Sequence, residues 1–479
     1  MNTEELSALD ATFLELEEAD PSAHMHIGGV LIFEPRRDGG APSVEEIAQG
    51  LGARLAGLPR YRQRLSEQTT GGLSWPRWDD DPRFEIRGHI RRARLPGSGT
   101  DEDLREWAGE YFSERLDRSR PLWELVVIGG LDGGRWAMAS KTHHCLVDGV
   151  GSVDTVQLML DAEPHPAPRE LPGASNGGGT PPARGRSLPG ASLLRLPIRA
   201  AAAGLDLVRA AAGTAAHPSR ARETMRRSRA LAEIIVRDEL IGAPRTSLNV
   251  PIGGKRRLGV IEVDLDELKR IKRELGGTVN DVVLAAAGGG LRELLLARGE
   301  ELPEQGLRAM VPVNIRSAGE HLALGNRISS LFVHLPLTED DPRRRYELQM
   351  EEAETLKSGD QALGASAITD LTGHAPPVLH SFLARSLFAT RLFNLTITNV
   401  PGPQFPLYAF GSRMLSVWPL VPLAASHAIG LAIFSYDGKA FFTVNADFDA
   451  VPDLDVLVDG IASSILQLAY VAGPQSSEG

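Results

Sequence analysis

Cysteine and long apolar runs are the two features that this 479-residue chain most clearly lacks. Cys145 is its single cysteine, which excludes an intrachain disulfide. That is typical of a reducing compartment, although a secreted protein without disulfides would have the same composition. The most apolar stretch, residues 418–434, is interrupted by two prolines, a serine and a histidine. Because a membrane-spanning helix needs about 20 consecutive apolar residues, we expect any membrane contact to be made at the surface.

Acidic residues outnumber basic ones, 62 to 51. The formal net charge of −11 argues against general binding to nucleic acid, which normally requires a basic surface. Residues 1–18 are acidic and lack the basic and then apolar order of a signal peptide, so we expect a cytoplasmic protein. One segment differs, because residues 184–229 contain ten arginines and two acidic residues. This segment predicts either a basic helical surface that rests on anionic lipid or a solvated helix of ordinary charge.

The composition predicts a globular protein of two domains. Hydrophobic residues make up 42% of the chain and charged residues 24%, and the length exceeds that of one ordinary core. Residues 163–190 are rich in proline and glycine, which is typical of a linker. We therefore predict an N-terminal domain over residues 1–162, a linker and basic helical crossover over 163–245, and a C-terminal domain over 246–479.

Both predicted domains mix strands with helices. In the first half, apolar patterns predict a helix at 101–116 and strands at 26–33, 122–128 and 135–142. In the second half they predict a helix at 278–297 and strands at 307–314, 329–335, 395–400, 428–436 and 440–446. Thr278 and Asp281 have the spacing of a capping box at the start of that helix. The predicted fold class is therefore α/β in both halves.

Residues 143–149 carry the pattern HHxxxDG directly after a predicted strand. The end of that strand delivers His143 and His144 to a cleft, and Asp148 can turn back to fix the loop by pairing or hydrogen bonding. Gly149 suits a tight turn or the close approach of a substrate. Imidazole is the side chain best matched to taking a proton from an alcohol near neutral pH.

Other interpretations of this segment stay open. Paired histidines are often structural residues with satisfied hydrogen bonds. Zinc binding is a further possibility, since His24 and His26 could share a strand face, but adjacent histidines lack the i, i+4 spacing of helical zinc sites, so we expect no metal. Cys145 lies beside His144, yet neighbours in an extended segment point to opposite sides. We therefore expect a buried small residue there rather than a nucleophile.

Taken with its surroundings, HHxxxDG resembles the bacterial wax ester synthase/diacylglycerol acyltransferase family. The wider relatives of that family are chloramphenicol acetyltransferase-like enzymes and peptide-synthetase condensation domains. Further segments resemble the family in order along the chain: LSALDATFLELE at 6–17, HMHIG at 24–28, PLWE at 121–124, TVNDVVL at 278–284, VPVNIR at 311–316, NVPGP at 399–403, PLY at 406–408 and SYDG at 435–438. Two small departures are Cys145, where an alanine-like residue is more usual, and Thr398, where serine is more usual.

The resemblance implies a fold and a set of roles. The fold consists of two chloramphenicol-acetyltransferase-like α/β domains with the active site in a tunnel between them. His144 is the implied general base, His143 shapes the site, and Gly149 lies beside the substrate. Asp148 holds the loop, with Arg316 as the cation that pairs with it.

Stabilisation of the reaction's oxyanion is assigned to Asn280 by the same resemblance, with Thr398 as a second donor. The position of Asn280 supports this, because the first turn of a helix favours a nearby anion. The alternative, which stays open, is that Asn280 and Asp281 only cap the helix.

The resemblance also implies the substrates. A long-chain fatty acyl group would pass from acyl-CoA to diacylglycerol, giving triacylglycerol, or to a long-chain alcohol, giving a wax ester. The composition is typical of a high-GC actinobacterium, which favours diacylglycerol. We expect no cofactor, since acyl-CoA is a substrate, and a location at the inner-membrane surface or on lipid bodies. The alternatives are a non-catalytic lipid-binding member and a condensation enzyme that uses carrier-bound acyl groups.

Overall fold

The computed structural model describes residues 4–55, 57–66, 76–146, 157–166, 242–314, 328–358 and 392–473. The predicted helical crossover and the arginine-rich segment at 184–229 lie outside the described residues. So do the predicted site residues Asp148, Gly149 and Arg316, whose roles therefore stay predictions.

The described residues form a mixed α/β protein, which confirms the predicted fold class. The strands are β1 (Glu4–Glu5), β2 (His26–Phe33), β3 (Gln63–Leu65), β4 (Arg77–Asp80), β5 (Ile90–Arg94), β6 (Trp123–Gly129), β7 (Trp136–His143), β8 (Arg256–Asp264), β9 (Leu307–Asn314), β10 (Ile328–Leu335), β11 (Leu395–Pro401), β12 (Tyr408–Ala409), β13 (Ser412–Leu420), β14 (Ile429–Tyr436) and β15 (Lys439–Asp447). The helices are α1 (Ala8–Ala19), α2 (Val44–Leu55), α3 (Asp101–Ser113), α4 (Leu265–Leu275), α5 (Val279–Ala297), α6 (Pro342–Ser358) and α7 (Leu454–Val471).

The sheet that carries the histidine pair has the strand order β12-β13-β2-β7-β6-β5. Within it β5 and β6 are parallel, and the other neighbours are antiparallel. Every residue of β7 is buried, because the strand lies between β2 and β6 with both faces covered. Met138 packs into the core on one face, and Ala137 and Ala139 pack into the core on the other. The strand that ends at His143 is therefore a rigid central element.

The second six-stranded sheet has the order β10-β9-β11-β14-β15-β8 and is covered on one face by helices α5 and α7. Alternate residues of its strands, such as Leu395 and Ile397, pack into the core beneath these helices. On the opposite face, Tyr436 and Phe441 join the apolar core of the first sheet. The two sheets therefore pack together through that face. A small third sheet has the order β1-β4-β3.

One strand of the C-terminal part completes the N-terminal sheet. β13 lies beyond the predicted boundary at residue 246, yet it pairs with β2, with Leu420 opposite Gly28 and Trp418 opposite Val30. A Cβ atom at Gly29 would lie 2.4 Å from the carbonyl oxygen of Trp418, so glycine permits this close pairing. The sheets thus do not follow the predicted division of the chain throughout, and the boundaries at 162 and 245 stay predictions.

Glycines inside α5 allow close contact with α7. A Cβ at Gly289 would lie 2.2 Å from the hydroxyl oxygen of Ser464, and one at Gly290 would lie 2.4 Å from Cγ1 of Ile461. Gly290 also lies against Gly460, so backbone meets backbone at this crossing. Each glycine is unfavourable in a helix by about 1 kcal/mol relative to alanine, and contact with α7 explains the glycines at 289 and 290.

Helix α7 is also the one helix of the described residues that is long and apolar enough to cross a membrane, with a mean hydropathy of 1.5 over Leu454–Val471. One face of it is buried beside α5, through residues that include Leu457, Ile461 and Leu468. Leu466 and Tyr470 are exposed on its outer face. This burial is typical of the core helix of a globular domain.

Candidate active site

Backbone hydrogen bonds from two segments hold the histidine pair in place. The N–H of His143 donates to the carbonyl of Leu122 at 2.9 Å, and the N–H of His144 donates to the carbonyl of Met25 at 2.8 Å. Leu122 belongs to the PLWE segment and Met25 to the HMHIG segment. These two motifs therefore position the histidines through their main chains.

His143 is a buried structural residue with a carboxylate partner. Its Nε2 lies 2.6 Å from Oε2 of Glu17, and both side chains are 1% exposed. The N–H of Cys145 donates to Nδ1 of His143 at 3.2 Å, so Nδ1 accepts and Nε2 carries the proton that is donated to Glu17. The ring of His143 is thus fixed from both nitrogens and is not available to a substrate.

Glu17 is ionised, and His143 is neutral. Burial raises the pKa of Glu17, but the interactions with His143, above all its hydrogen bond, and then with His26 and Arg118 outweigh burial and hold that pKa well below its ordinary value. Arg115 donates to the same carboxylate through Nε at 2.8 Å. Burial lowers the pKa of His143, and Glu17 opposes that effect only in part. This pair therefore holds the loop and carries no mobile proton at neutral pH.

His144 differs from its neighbour, because the residue as a whole is only partly buried. It stacks on Phe13 of α1, with ring centroids 3.7 Å apart and planes inclined by 19°. Its Nδ1 is buried and has no hydrogen-bond partner among the described residues. Burial lowers the pKa of His144 to about 4. At pH 7 the ring is therefore neutral and able to accept a proton.

The thiol of Cys145 is not activated by its neighbours. The side chain is 2% exposed, and burial raises the pKa of the thiol well above its ordinary value. Its sulfur lies 3.0 Å from Nδ1 of His143. These observations agree with the predicted buried small residue, since a nucleophilic cysteine requires a thiolate.

His24 and His26 lie beside the site as buried neutral residues. His26 is directly opposite His143 in the sheet, and its ring centroid is 6.0 Å from that of His143 and 5.7 Å from that of His24. Burial lowers the pKa of His24 to about 4 and that of His26 well below its ordinary value. Within the described residues, no group of three or more His, Cys, Asp or Glu side chains is placed to hold a metal ion.

Asn280 occupies the first turn of α5, and the cap of that helix is formed by other residues. Thr278 and Asp281 make the predicted capping box, in which the carboxylate of Asp281 accepts from the N–H of Thr278 at 2.8 Å and from its hydroxyl at 2.7 Å. The side chain of Asn280 is partly buried, and its Oδ1 lies 3.4 Å from Nδ2 of Asn399. Asn280 is therefore free to serve a function other than capping.

Thr398 lies on β11 next to Asn399 but on the opposite face of the sheet, because side chains alternate along a strand. It is partly exposed and pairs with Ala432, whose face of the sheet is the one that packs towards the histidine-bearing sheet. Among the described residues, no hydrogen bond joins His144 to Asn280 or Thr398. The structure thus describes four of the seven predicted site residues, and it brings His143 and His144 together.

The sequence matches two family models along most of its length. The model of the wax ester synthase/diacylglycerol acyltransferase catalytic domain matches residues 6–283, and that of the WS/DGAT C-terminal domain matches residues 324–469. The chain belongs to the wax ester synthase/diacylglycerol acyltransferase family. The first match includes both the histidine pair and the first turn of α5.

Two relatives of this family member in Mycobacterium tuberculosis carry the names probable diacylglycerol O-acyltransferase tgs1 and tgs2. The first is 30% identical over 473 residues, which cover 98% of this chain and 96% of its own. The second is 33% identical over 473 residues, which cover 97% of this chain and 98% of its own. The similarity therefore extends over both sheets.

Solved structures show the same fold. The wax ester synthase/diacylglycerol acyltransferase from Marinobacter aquaeolei VT8 has a TM-score of 0.66 at 26% identity, covering 98% of this chain and 100% of its own. A starter condensation domain of rhizomide synthetase, solved with C8-CoA and Leu-SNAC, has a TM-score of 0.59 at 14% identity. The match covers 98% of this chain and 95% of the condensation domain. At the lower identity, only the fold is shared.

Sequence reasoning missed the helix that supports the histidines in this acyltransferase family member. Phe13 and Glu17 are four residues apart on α1, so they lie on one face of the helix. Phe13 stacks on His144, and Glu17 bonds to His143. An acidic residue one turn after an aromatic residue, within a segment that resembles the family, was the signal available.

Proposed function

We propose that this protein is an O-acyltransferase that moves a long-chain fatty acyl group from acyl-CoA to the hydroxyl of diacylglycerol, giving triacylglycerol. Membership of the wax ester synthase/diacylglycerol acyltransferase family supports this reaction class. The observation that carries the mechanism is the neutral imidazole of His144, a partly buried residue that directly follows a rigid central strand. Such a ring can take a proton from an alcohol at neutral pH.

The reaction proceeds through a ternary complex. His144 takes the proton from the acceptor hydroxyl while that oxygen attacks the carbonyl carbon of the thioester. The tetrahedral oxyanion that forms then breaks its carbon–sulfur bond, and the departing thiolate takes the proton back from His144. The products are the ester and free coenzyme A, so the route needs no acyl-enzyme and no cofactor.

The remaining residues support the base and the oxyanion. His143, whose ring is fixed by Glu17, keeps the neighbouring His144 in position. Asn280 donates to the oxyanion, aided by its place at the positive end of α5. The resemblance also makes Thr398 a donor; its side chain lies on the face of β11 opposite to that of Asn399, which contacts Asn280. For Asp148, Arg316 and Gly149, which lie outside the described residues, the proposal keeps the roles that the family resemblance implies.

Diacylglycerol is the preferred acceptor under this proposal, and a long-chain alcohol is the alternative. The names of the two mycobacterial relatives refer to diacylglycerol, and they resemble this chain over almost its whole length. The name of the Marinobacter protein includes both activities.

Attachment to a lipid surface is the second part of the proposal. Val400, near the end of β11, and Phe405, in the loop that follows, are 48% and 52% exposed. The loop is held to the hairpin of β14 and β15, since the N–H of Gly402 donates to the carbonyl of Ser435 at 2.9 Å. Apolar side chains on a rigid loop suit insertion between lipid headgroups. We therefore propose a cytoplasmic protein that is peripherally bound to the inner membrane or to lipid bodies.

The function is tested with purified protein, radiolabelled palmitoyl-CoA and either dioleoylglycerol or hexadecanol in mixed micelles. We expect labelled triacylglycerol to form faster than labelled wax ester. Faster wax ester formation would reverse the acceptor assignment. Transfer from an acyl-carrier protein but not from palmitoyl-CoA would favour the condensation-type alternative, and lipid binding without any ester would favour the non-catalytic one.

A further inference from the structure

Asn399 occupies a polar position on an otherwise apolar face of β11. Leu395 and Ile397 lie on this face and are buried in the core beneath α5. Because side chains alternate, Asn399 is the next residue on the same face. Its position is level with the first turn of α5, where its amide meets that of Asn280. The two amides therefore meet at the end of the apolar core beneath α5.

The hydrogen bond between the two amides has a defined donor and a defined acceptor. Nδ2 of Asn399 lies 3.4 Å from Oδ1 of Asn280 and donates to it. An asparagine amide has one accepting end and one donating end of nearly equal size, so its hydrogen-bond partners decide which end faces a ligand. With its oxygen engaged by Asn399, Asn280 has side-chain N–H groups for which the described residues offer no hydrogen-bond partner. The backbone of Asn280 cannot shift to compensate, because the capping box of Thr278 and Asp281 fixes the first turn of α5.

We propose that Asn399 is a positioning residue that orients the amide of Asn280, so that Asn280 presents its N–H groups, and not its oxygen, to the thioester oxygen. This inference rests on the proposed function and on the donor role of Asn280 within it. A rotation of the Asn280 amide by half a turn would place a carbonyl dipole against the developing negative charge. Asn399 prevents that rotation by donating to the carbonyl end.

Asn399→Asp tests this directly. An aspartate has nearly the same shape but only accepts hydrogen bonds, so it draws the N–H groups of Asn280 towards itself and turns the Asn280 oxygen to the substrate. Removal of one oxyanion donor lowers kcat by about 10²–10³-fold in a well-studied hydrolase, and we expect a loss approaching this range. KM for palmitoyl-CoA should change little, because the donor acts on the transition state. Asn399→Ala leaves the amide of Asn280 free to turn in either direction, so we expect a smaller loss of kcat than in Asn399→Asp.

A double-mutant cycle with Asn280→Ala separates positioning from a merely structural role. If Asn399 acts through Asn280, Asn399→Asp should cost almost nothing further in kcat once Asn280 is alanine. Additive losses in the double variant, or a rise in KM at unchanged kcat, would overturn the inference. Circular dichroism and the thermal midpoint establish that each variant is folded.

Gln49→Glu is the control for added charge. Gln49 lies on α2, is exposed and bonds to Glu45 rather than to Asn280. We expect kcat of this variant to stay near that of the wild type, and an equal loss would overturn the inference. If the wild type forms no ester, the proposed function fails. If wild type is active and Asn280→Ala is impaired while both Asn399 variants are normal, only the positioning role fails.

Discussion

Glu17→Gln tests how the site is held together. The substitution keeps the shape of the side chain. It removes the negative charge of the carboxylate that accepts the hydrogen bond from Nε2 of His143 at 2.6 Å. A hydrogen bond to a charged group contributes about 1.5–3 kcal/mol and a neutral one about 0.5–1.5 kcal/mol, so the free energy of unfolding should fall by roughly 1–2 kcal/mol. Arg115 and Arg118 add little, because their side chains are 38% and 30% exposed and remain solvated.

Urea unfolding, followed by tryptophan fluorescence and circular dichroism, measures this loss. Glu18→Gln is the matched control, since Glu18 also pairs with Arg118, at 3.0 Å, but its side chain is 48% exposed. Exposed ion pairs contribute about 0.2–1 kcal/mol to stability, so the urea midpoint of this variant should be close to that of the wild type. Equal shifts in the two variants would refute the reasoning, because burial of the charge would then have no effect.

The difference between wild type and Glu17→Gln should also depend on pH. The pKa of Glu17 is lowered in the folded protein from an ordinary value of 4.5. A group with a lowered folded pKa contributes its full stability above its unfolded pKa and loses it as the pH falls towards the folded value. The stability advantage of the wild type should therefore be constant above pH 4.5 and shrink below it.

Three further predictions follow from the site and the helix packing. Because burial lowers the pKa of His144 to about 4, kcat/KM should be level from pH 6 to 8; a rise centred near pH 6.5 would contradict that burial. Cys145→Ala should remain active, and covalent acylation of Cys145 during turnover, detected by mass spectrometry, would overturn this. Gly290→Ala should lower the thermal midpoint, since its Cβ would lie 2.4 Å from Ile461. Gly288→Ala, whose Cβ would meet only ordinary contacts, should not lower it, and equal losses would contradict the packing explanation.

Local patterns predicted the elements that carry the site. The strands at 26–33 and 307–314 have the predicted bounds, and Thr278 and Asp281 form the predicted capping box. The helix predicted at 101–116 ends at Ser113, because Glu114 adopts an extended backbone. Such features depend on neighbouring residues, whose periodicity and spacing can be read directly from the sequence.

Long-range partners could not be predicted in the same way. Glu17 and His143 are 126 residues apart, and an acidic residue in an acidic N-terminal segment has no local sign of burial. β13, at Ser412–Leu420, was not predicted, because its pairing with β2 involves strands far apart in the sequence. The contact of Asn399 with Asn280 likewise requires β11 and α5 to be placed side by side. Each of these depends on tertiary packing, which periodicity does not record.

Acyl transfer by His144→Ala tests the central claim most directly. Wild type and variant are compared with labelled palmitoyl-CoA and dioleoylglycerol, with circular dichroism and the thermal midpoint confirming that both are folded. A general base contributes about 10²–10⁴-fold to the rate, so the account predicts that the folded variant loses nearly all turnover. Substantial ester formation by the folded variant would contradict the assignment of His144 as the base.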